Sequence, residues 1–368
     1  MAVFLLFFYH TACVFHPWSN FYVKNDILSP LLAYIFVWST AHWYMSLFFL
    51  LAGASSYYAL KKRSGNEYIK ERFKRLIIPF IFGVLALIPP QSYLGLLNHS
   101  DYSQSFFAWF PSFFQLNTED LDGFFLGGHT WGHLWFIFHL FIYSLAVLPL
   151  FLYFNRESGQ IWIRQLAGML TNPLVLFVLF PLLLVLFSKF PQIAGGNPLF
   201  YITFFIIGFI LMSDSLLMEK IDSSRLILLI LGIFPLTAFI ILDGTQSWPS
   251  NMPEWAFNVT GEYRNAFVPW FFILALMAYG RRLLNFSNRF LRYFAEGAYP
   301  IYILHNTIIV IIAFFVVQWD ISVVTKYIVI LLMAFITTIT TFDIFVKRTK
   351  TSRFLFGMKI IPKIKPEF

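Results

Sequence analysis

One cysteine, Cys13, stands in 368 residues. That excludes an intramolecular disulfide framework, and a lone thiol fits no metal-binding spacing. Charge is scarce too: Asp, Glu, Lys and Arg together make up 12% of the chain, about half the share in a soluble domain. Runs that alternate apolar and polar residues are missing, so a β-barrel is not expected. There is no internal repeat and no low-complexity linker. What remains is apolar: 59% of residues are hydrophobic and the mean hydropathy is +0.71, the composition of an integral membrane protein.

Ten apolar stretches have helical length, at residues 3–16, 38–60, 76–97, 133–154, 172–189, 198–216, 224–242, 265–280, 299–317 and 323–346, against about 20 residues per span. The longest polar interruption, Asn98 to Gly132, reads as an aromatic-rich loop rather than a soluble domain. The net charge of +8 says nothing about nucleic acid until its placement is known. Alternate connections, at Lys61–Arg75, Asn155–Arg164, Glu219–Arg225, Gly280–Arg292 and the tail from Lys347, hold 22 of the 26 basic residues. Only Lys24, Lys189, Arg264 and Lys326 fall on the other side. The basic excess is therefore a topology signal. The opposite loops carry Asp26, Asp101, Glu119, Asp120, Asp122, Asp243, Glu254, Glu262 and Asp320. The expected fold class is an all-α integral membrane protein of about ten transmembrane helices, with both termini cytoplasmic and a single transmembrane domain over residues 1–368.

The first span is short. From Ala2 to His16 a helix reaches about 22 Å, against a hydrocarbon core of about 30 Å. The expectation is a truncated first helix: either Met1 is a late start or the helix begins inside the membrane. A signal peptide fits poorly, since no basic segment precedes the run and no small-residue cleavage site follows it.

All eight histidines, His10, His16, His42, His99, His129, His133, His139 and His305, lie in spans or on the expected outer side. His10 and His305 are well inside spans, where an ionisable residue is a functional hypothesis by default. For His10 two readings stand: a neutral ring hydrogen-bonded between helices, or a general base, since histidine holds and returns protons near neutral pH. His305 and Asn306 follow Pro300, which is placed near the start of its span, where the missing N–H costs little. His129 and His133 are four apart, but Gly127, Gly128 and Gly132 argue for a loop running into a helix, and no HExxH pattern is present, so no metal is expected. Ten of the eleven tryptophans, all but Trp162, fall on or near the outer boundary. That is either a Trp-rich interface or a surface for sugar rings, which pack against flat apolar faces. Trp131, His133 and Trp135 would line such an outer vestibule. The basic run "KKRSGNEYIKERFKRLIIP" (Lys61 to Pro79) either anchors to anionic lipid or holds the phosphates of a cytoplasmic ligand.

Four segments taken together, "FFYHTACVF", "ERFKRLIIPFIFG", "GHLWFIFHLFIYS" and "AYPIYILHNTIIV", give the chain a resemblance to acyltransferase family 3, the membrane O-acyltransferases of bacterial carbohydrates. Within it the pattern is most similar to the glucans biosynthesis protein C branch, which succinylates periplasmic glucans. The resemblance covers nearly the whole chain and implies an inner-membrane enzyme. Such an enzyme transfers an acyl group, succinyl or acetyl, from a cytoplasmic acyl-CoA co-substrate to a hydroxyl of an outer glucan or other glycan, with no bound cofactor and no nucleic-acid partner. It implies His10 as the essential base, by proton abstraction or through a covalent acyl-histidine relay. An Arg or Lys eleven residues earlier is also implied, and that position falls before Met1. Ala52-Gly53 stands where the family often has Ser-Gly, which weakens any hydroxyl role at position 52. On this reading Arg63, Arg72, Lys74 and Arg75 hold the CoA phosphates. Trp131, His133 and Trp135 position the sugar, and His305 and Asn306 orient the donor or stabilise the oxyanion. Arg264 is a candidate partner for a succinyl carboxylate. The competing class is a transporter or flippase of a glycan or lipid-linked sugar, but the inverted repeat and paired broken helices expected of one are not apparent in the sequence.

Overall fold

A computed structural model describes residues 2–115 and 128–359. Met1, the loop acids Glu119, Asp120 and Asp122, and the tail lysines Lys363 and Lys365 lie outside the described residues. Among those described the chain is helical, and the only strand-like pairing is an isolated bridge between Ile193 and Gly196. The helices are α1 (Ala2–Cys13), α2 (Pro30–Leu60), α3 (Gly65–His99), α4 (Gly132–Ala146), α5 (Leu148–Phe154), α6 (Glu157–Thr171), α7 (Val175–Ser188), α8 (Pro198–Ser213), α9 (Ser215–Ser223), α10 (Arg225–Gly244), α11 (Glu254–Leu283), α12 (Arg289–Val316), α13 (Val323–Val346) and α14 (Lys350–Leu355).

Six of these helices, α2, α3, α10, α11, α12 and α13, are long and apolar enough to cross a membrane. Three pairs bend sharply: α4 with α5 by 51°, α6 with α7 by 84° and α8 with α9 by 102°; the number of candidate spans rises to nine if each pair counts once. Helix α1 is apolar but short. The starts follow local chemistry. Ser29, Asn197, Asn288 and Ser322 each accept a backbone N–H three residues on, satisfying donors that a helix start leaves orphaned. Pro30 and Pro198 occupy first helical positions, where no N–H is needed.

Two compact units divide the chain. Unit 1 comprises residues 1–37, 71–138 and 288–368; unit 2 comprises residues 38–70 and 139–287. In unit 1, α12 is largely buried and packs against α1, α3 and α13. Phe4 sits edge-on to Phe294 and Phe335, with ring centroids 4.8 and 5.6 Å away. Helix α12 starts at Arg289, so Pro300 lies inside it rather than near its start. Its missing N–H leaves the Glu296 carbonyl without an intrahelical donor. Capping by Asn288, whose Oδ1 accepts the Leu291 N–H at 2.7 Å, starts the helix that early.

In unit 2, α2 and α8 meet at Gly53 and Gly208. A Cβ on Gly53 would strike the Phe205 carbonyl, and one on Gly208 would strike the Leu50 carbonyl. Gly53 is thus explained by helix packing. The Ala52 carbonyl beside it accepts the hydroxyls of Ser55 and Ser56 at 2.8 and 2.9 Å.

Candidate functional site

Unit 1 gathers three histidines from three helices. His10 comes from α1, His133 from the first turn of α4 and His305 from the middle of α12. The His305 ring lies 5.1 Å from the ring of His10 and 5.1 Å from that of His133. Phe7 and Phe21 close the cluster, with ring centroids 5.8 Å from His305 and 6.0 Å from His10. His133 and His305 are buried, and His10 is half-buried.

Hydrogen bonding fixes the protons on two of the rings. His305 Nδ1 is 2.5 Å from the Tyr302 carbonyl. A carbonyl only accepts, so Nδ1 carries the hydrogen and Nε2 is left as the basic nitrogen. By the same argument His133 Nε2, 3.1 Å from the Ile303 carbonyl, donates, and Nδ1 is its basic nitrogen. Those two basic nitrogens, together with His10 Nδ1, are buried and without a hydrogen-bond partner. A neutral ligand hydroxyl entering the cluster meets the lone pairs of His305 Nε2 and His133 Nδ1. Among the described residues, no three His, Cys, Asp or Glu side chains converge as metal ligands.

An amide network backs the cluster. Asn306 Nδ2 donates to Gln91 Oε1 at 2.7 Å, and Gln91 Nε2 donates to Thr307 Oγ1 at 2.7 Å. Thr307 donates in turn to the Leu87 carbonyl at 3.1 Å. Asn306 Oδ1 stays buried and unpaired. The Tyr302 hydroxyl donates to the His133 carbonyl, tying α12 to α4. Gln91, Thr307 and Tyr302 were not singled out from the sequence. Gln91 carries the same signal that marked the histidines, a polar group within an apolar run.

Several candidate residues fall elsewhere. The sequence grouped His133 with Trp131 and Trp135, whereas its side chain joins His10 and His305. Gly132 has φ +50°, and a Cβ there would meet the Tyr22 hydroxyl at 2.7 Å, so the first residue of α4 needs to be glycine. Trp131 is half-buried, with its ring 4.7 Å from Phe138 and 5.6 Å from Phe80; Trp135 is half-buried too. His129 is not helical, so it does not share a helix face with His133.

Among the basic candidates, Arg72 and Arg75 act electrostatically on Tyr299, whose buried hydroxyl has no partner. Arg75 Nε pairs with Glu71 at 3.1 Å. Lys74 is exposed, and Arg63 belongs to unit 2. Tyr299, Tyr302 and His305 recur at three-residue spacing on α12, a polar stripe that rises about 9 Å from Tyr299 to His305. Gly357, just past α14, lies against the Arg75 carbonyl, Tyr299 and Pro79. Arg353 of α14, buried, donates to Glu296 at 2.8 Å.

A clamp fixes the end of α1 that follows His10. Lys24 Nζ donates to the carbonyls of Cys13 and Ser19, at 3.3 and 2.8 Å, and to that of His16. Buried Lys326 donates to Asn25 Oδ1 at 3.0 Å and to the Val317 carbonyl at 2.6 Å. His16 Nδ1 accepts the N–H groups of Trp18 and Ser19 at 3.1 and 3.0 Å.

The model of the acyltransferase 3 family, described as "Acyltransferase domain", matches residues 1–346. Glucans biosynthesis protein C of Salmonella paratyphi B (strain ATCC BAA-1250 / SPB7) is 23% identical over 276 residues, covering 71% of this chain and 68% of that protein. Proteins of the same name from Salmonella schwarzengrund (strain CVM19633) and Salmonella agona (strain SL483) match to the same extent. No solved structure matches.

Proposed function

The chain belongs to the acyltransferase 3 family, and on that premise we propose that it moves a succinyl or acetyl group from cytoplasmic acyl-CoA to a hydroxyl of an extracytoplasmic glucan or related glycan. The acceptor class rests on the name of the relatives, glucans biosynthesis protein C. The observation that carries the chemistry is the set of buried, unpartnered ring nitrogens of His10, His133 and His305.

His10 is the base. It takes the proton from the sugar hydroxyl as that oxygen attacks the thioester carbonyl carbon. The carbon–sulfur bond then breaks, and the departing CoA thiolate takes the proton back from His10. The free atoms of His305 and Asn306 are acceptors, Nε2 and Oδ1. Their supporting role is therefore to hold the attacking hydroxyl or the His10 N–H by hydrogen bonds, rather than to donate to an oxyanion. His133 serves the same cluster, and Trp131 and Trp135 provide aromatic surface for the acceptor. Arg72 and Arg75 hold the CoA phosphates, and the polar stripe of α12 guides the acyl arm toward His10. Lys74, on the same helix as Arg72 and Arg75, adds positive potential that draws the donor in.

The test is acyl transfer by the full chain in membranes, with labelled succinyl- or acetyl-CoA and a glucan acceptor. His10→Ala is expected to lower the rate by about 10²–10⁴-fold, the usual contribution of a positioned base. Transfer at the unaltered rate overturns the assignment.

A further inference from the structure

Unit 2 holds a second polar cluster, which shares no residue with the histidine site. Arg264 and Asn265 lie in a π-helical segment of α11, Tyr263–Phe267. Such a widened turn redirects side chains and is frequent at functional sites. Arg264 Nη1 lies 3.5 Å from Asp243 Oδ2, and Asp243 Oδ1 accepts the Trp248 indole N–H at 2.6 Å. The guanidinium also lies 5.0 Å from the centroid of the Trp38 ring. That ring is 5.9 Å from His42, at an interplanar angle of 63°, and the His42 side chain is hydrogen-bonded to that of Asn265.

Two atoms remain unmatched. Arg264 Nε and His42 Nε2 are buried and have no hydrogen-bond partner. A buried donor left unpaired is costly, so the pair marks a place that a ligand completes. The surroundings are half-buried rather than sealed: Trp38, His42, Asp243, Trp248 and Arg264 all keep part of their surface open.

Charge decides what kind of ligand fits. Asp243 already balances Arg264, so an oxyanion bound here would add a negative charge with no cation to match it. This argues against a succinyl carboxylate at Arg264. A neutral hydroxyl both donates and accepts. Neighbouring hydroxyls on one sugar ring therefore satisfy the Arg264 N–H and the His42 nitrogen together, and Asp243 accepts from a third. Trp248, with its ring 5.7 Å from that of Phe257, adds a flat wall for the apolar face of the ring. We infer that Arg264, His42, Asp243 and Trp248 form a sugar-binding subsite that takes a neutral, non-reacting hexose unit of the glycan. This inference rests on the glycan-acceptor reading above.

The experiment is saturation-transfer NMR on the full chain in a detergent without a sugar headgroup, with a neutral laminari-oligosaccharide as probe and succinate as its anionic counterpart. Wild type is expected to bind the oligosaccharide and not succinate. Arg264→Lys keeps the charge facing Asp243 but loses the guanidinium fork; His42→Phe keeps a ring but loses the nitrogen. Each is expected to weaken the sugar about ten-fold, the effect of one charge-assisted hydrogen bond, with gel-filtration profile and melting temperature unchanged. The inference is overturned by sugar binding that neither variant weakens, by no sugar binding to wild type, or by Arg264-dependent binding of succinate in place of sugar. Arg264-dependent sugar binding in a protein that transfers no acyl group would remove the catalytic reading and leave the subsite. His10-dependent transfer without Arg264-dependent sugar binding would remove only the subsite.

Discussion

At the scale of single residues, the site is set by which lone pairs are already used. His305 and His133 each spend an N–H on a backbone carbonyl, which leaves basic nitrogens facing inward. His10 and His305 could be read from sequence because a titratable ring in an apolar run stands out. Gln91 obeys the same rule but is uncharged, and only its bonds to Asn306 and Thr307 show what it does. Gln91→Leu nearly preserves volume while stranding the Asn306 amide. We expect a loss of about 1–3 kcal/mol in stability and a fall in acyl transfer, read by thermal unfolding and by the transfer assay; unchanged values for both would show that the network does not support the cluster.

At the scale of helices, apolar runs in the sequence mark where helices lie, but local chemistry decides where they begin. Helix α12 begins at Arg289, not at residue 299, because the Asn288 cap outweighs the proline expected to mark its start. Gly128 lies outside any helix, but the direction of the turn into α4 is not legible in the sequence. It takes the positive φ of Gly132 to start the turn that sets His133 beside His305. Contacts between helices were equally out of reach, since nothing in the sequence pairs Gly53 with Gly208. Gly208→Val should drive α2 and α8 apart and cost about 1–3 kcal/mol. Gly261→Ala, with nothing within 4 Å of the added Cβ, should be neutral or slightly stabilising, as helix propensity predicts. Thermal unfolding of the two variants side by side checks this; equal melting temperatures would show that the glycine contact contributes nothing.

At the scale of the whole molecule, the proposed reaction needs a direction, since its donor and acceptor approach from opposite sides. That direction rests on the basic residues, 22 of 26 of which fall in alternate connections, the pattern that keeps such loops in the cytoplasm. The single cysteine that excluded a disulfide framework now makes the test simple. Cys13 is buried in α1, and Cys13→Ser leaves a chain without thiols, to which exposed positions can be returned one at a time. Glu219 and Glu254 flank α10, and Asp320 and Lys350 flank α13; all four are exposed. With a membrane-impermeant maleimide applied to intact cells, cysteines at 254 and 320 should label, and cysteines at 219 and 350 should label only after the membrane is opened. The reverse pattern would put Arg72 and Arg75 on the side away from cytoplasmic acyl-CoA and overturn the donor route. Labelling at both ends of α10 in intact cells would show that this helix does not cross the membrane.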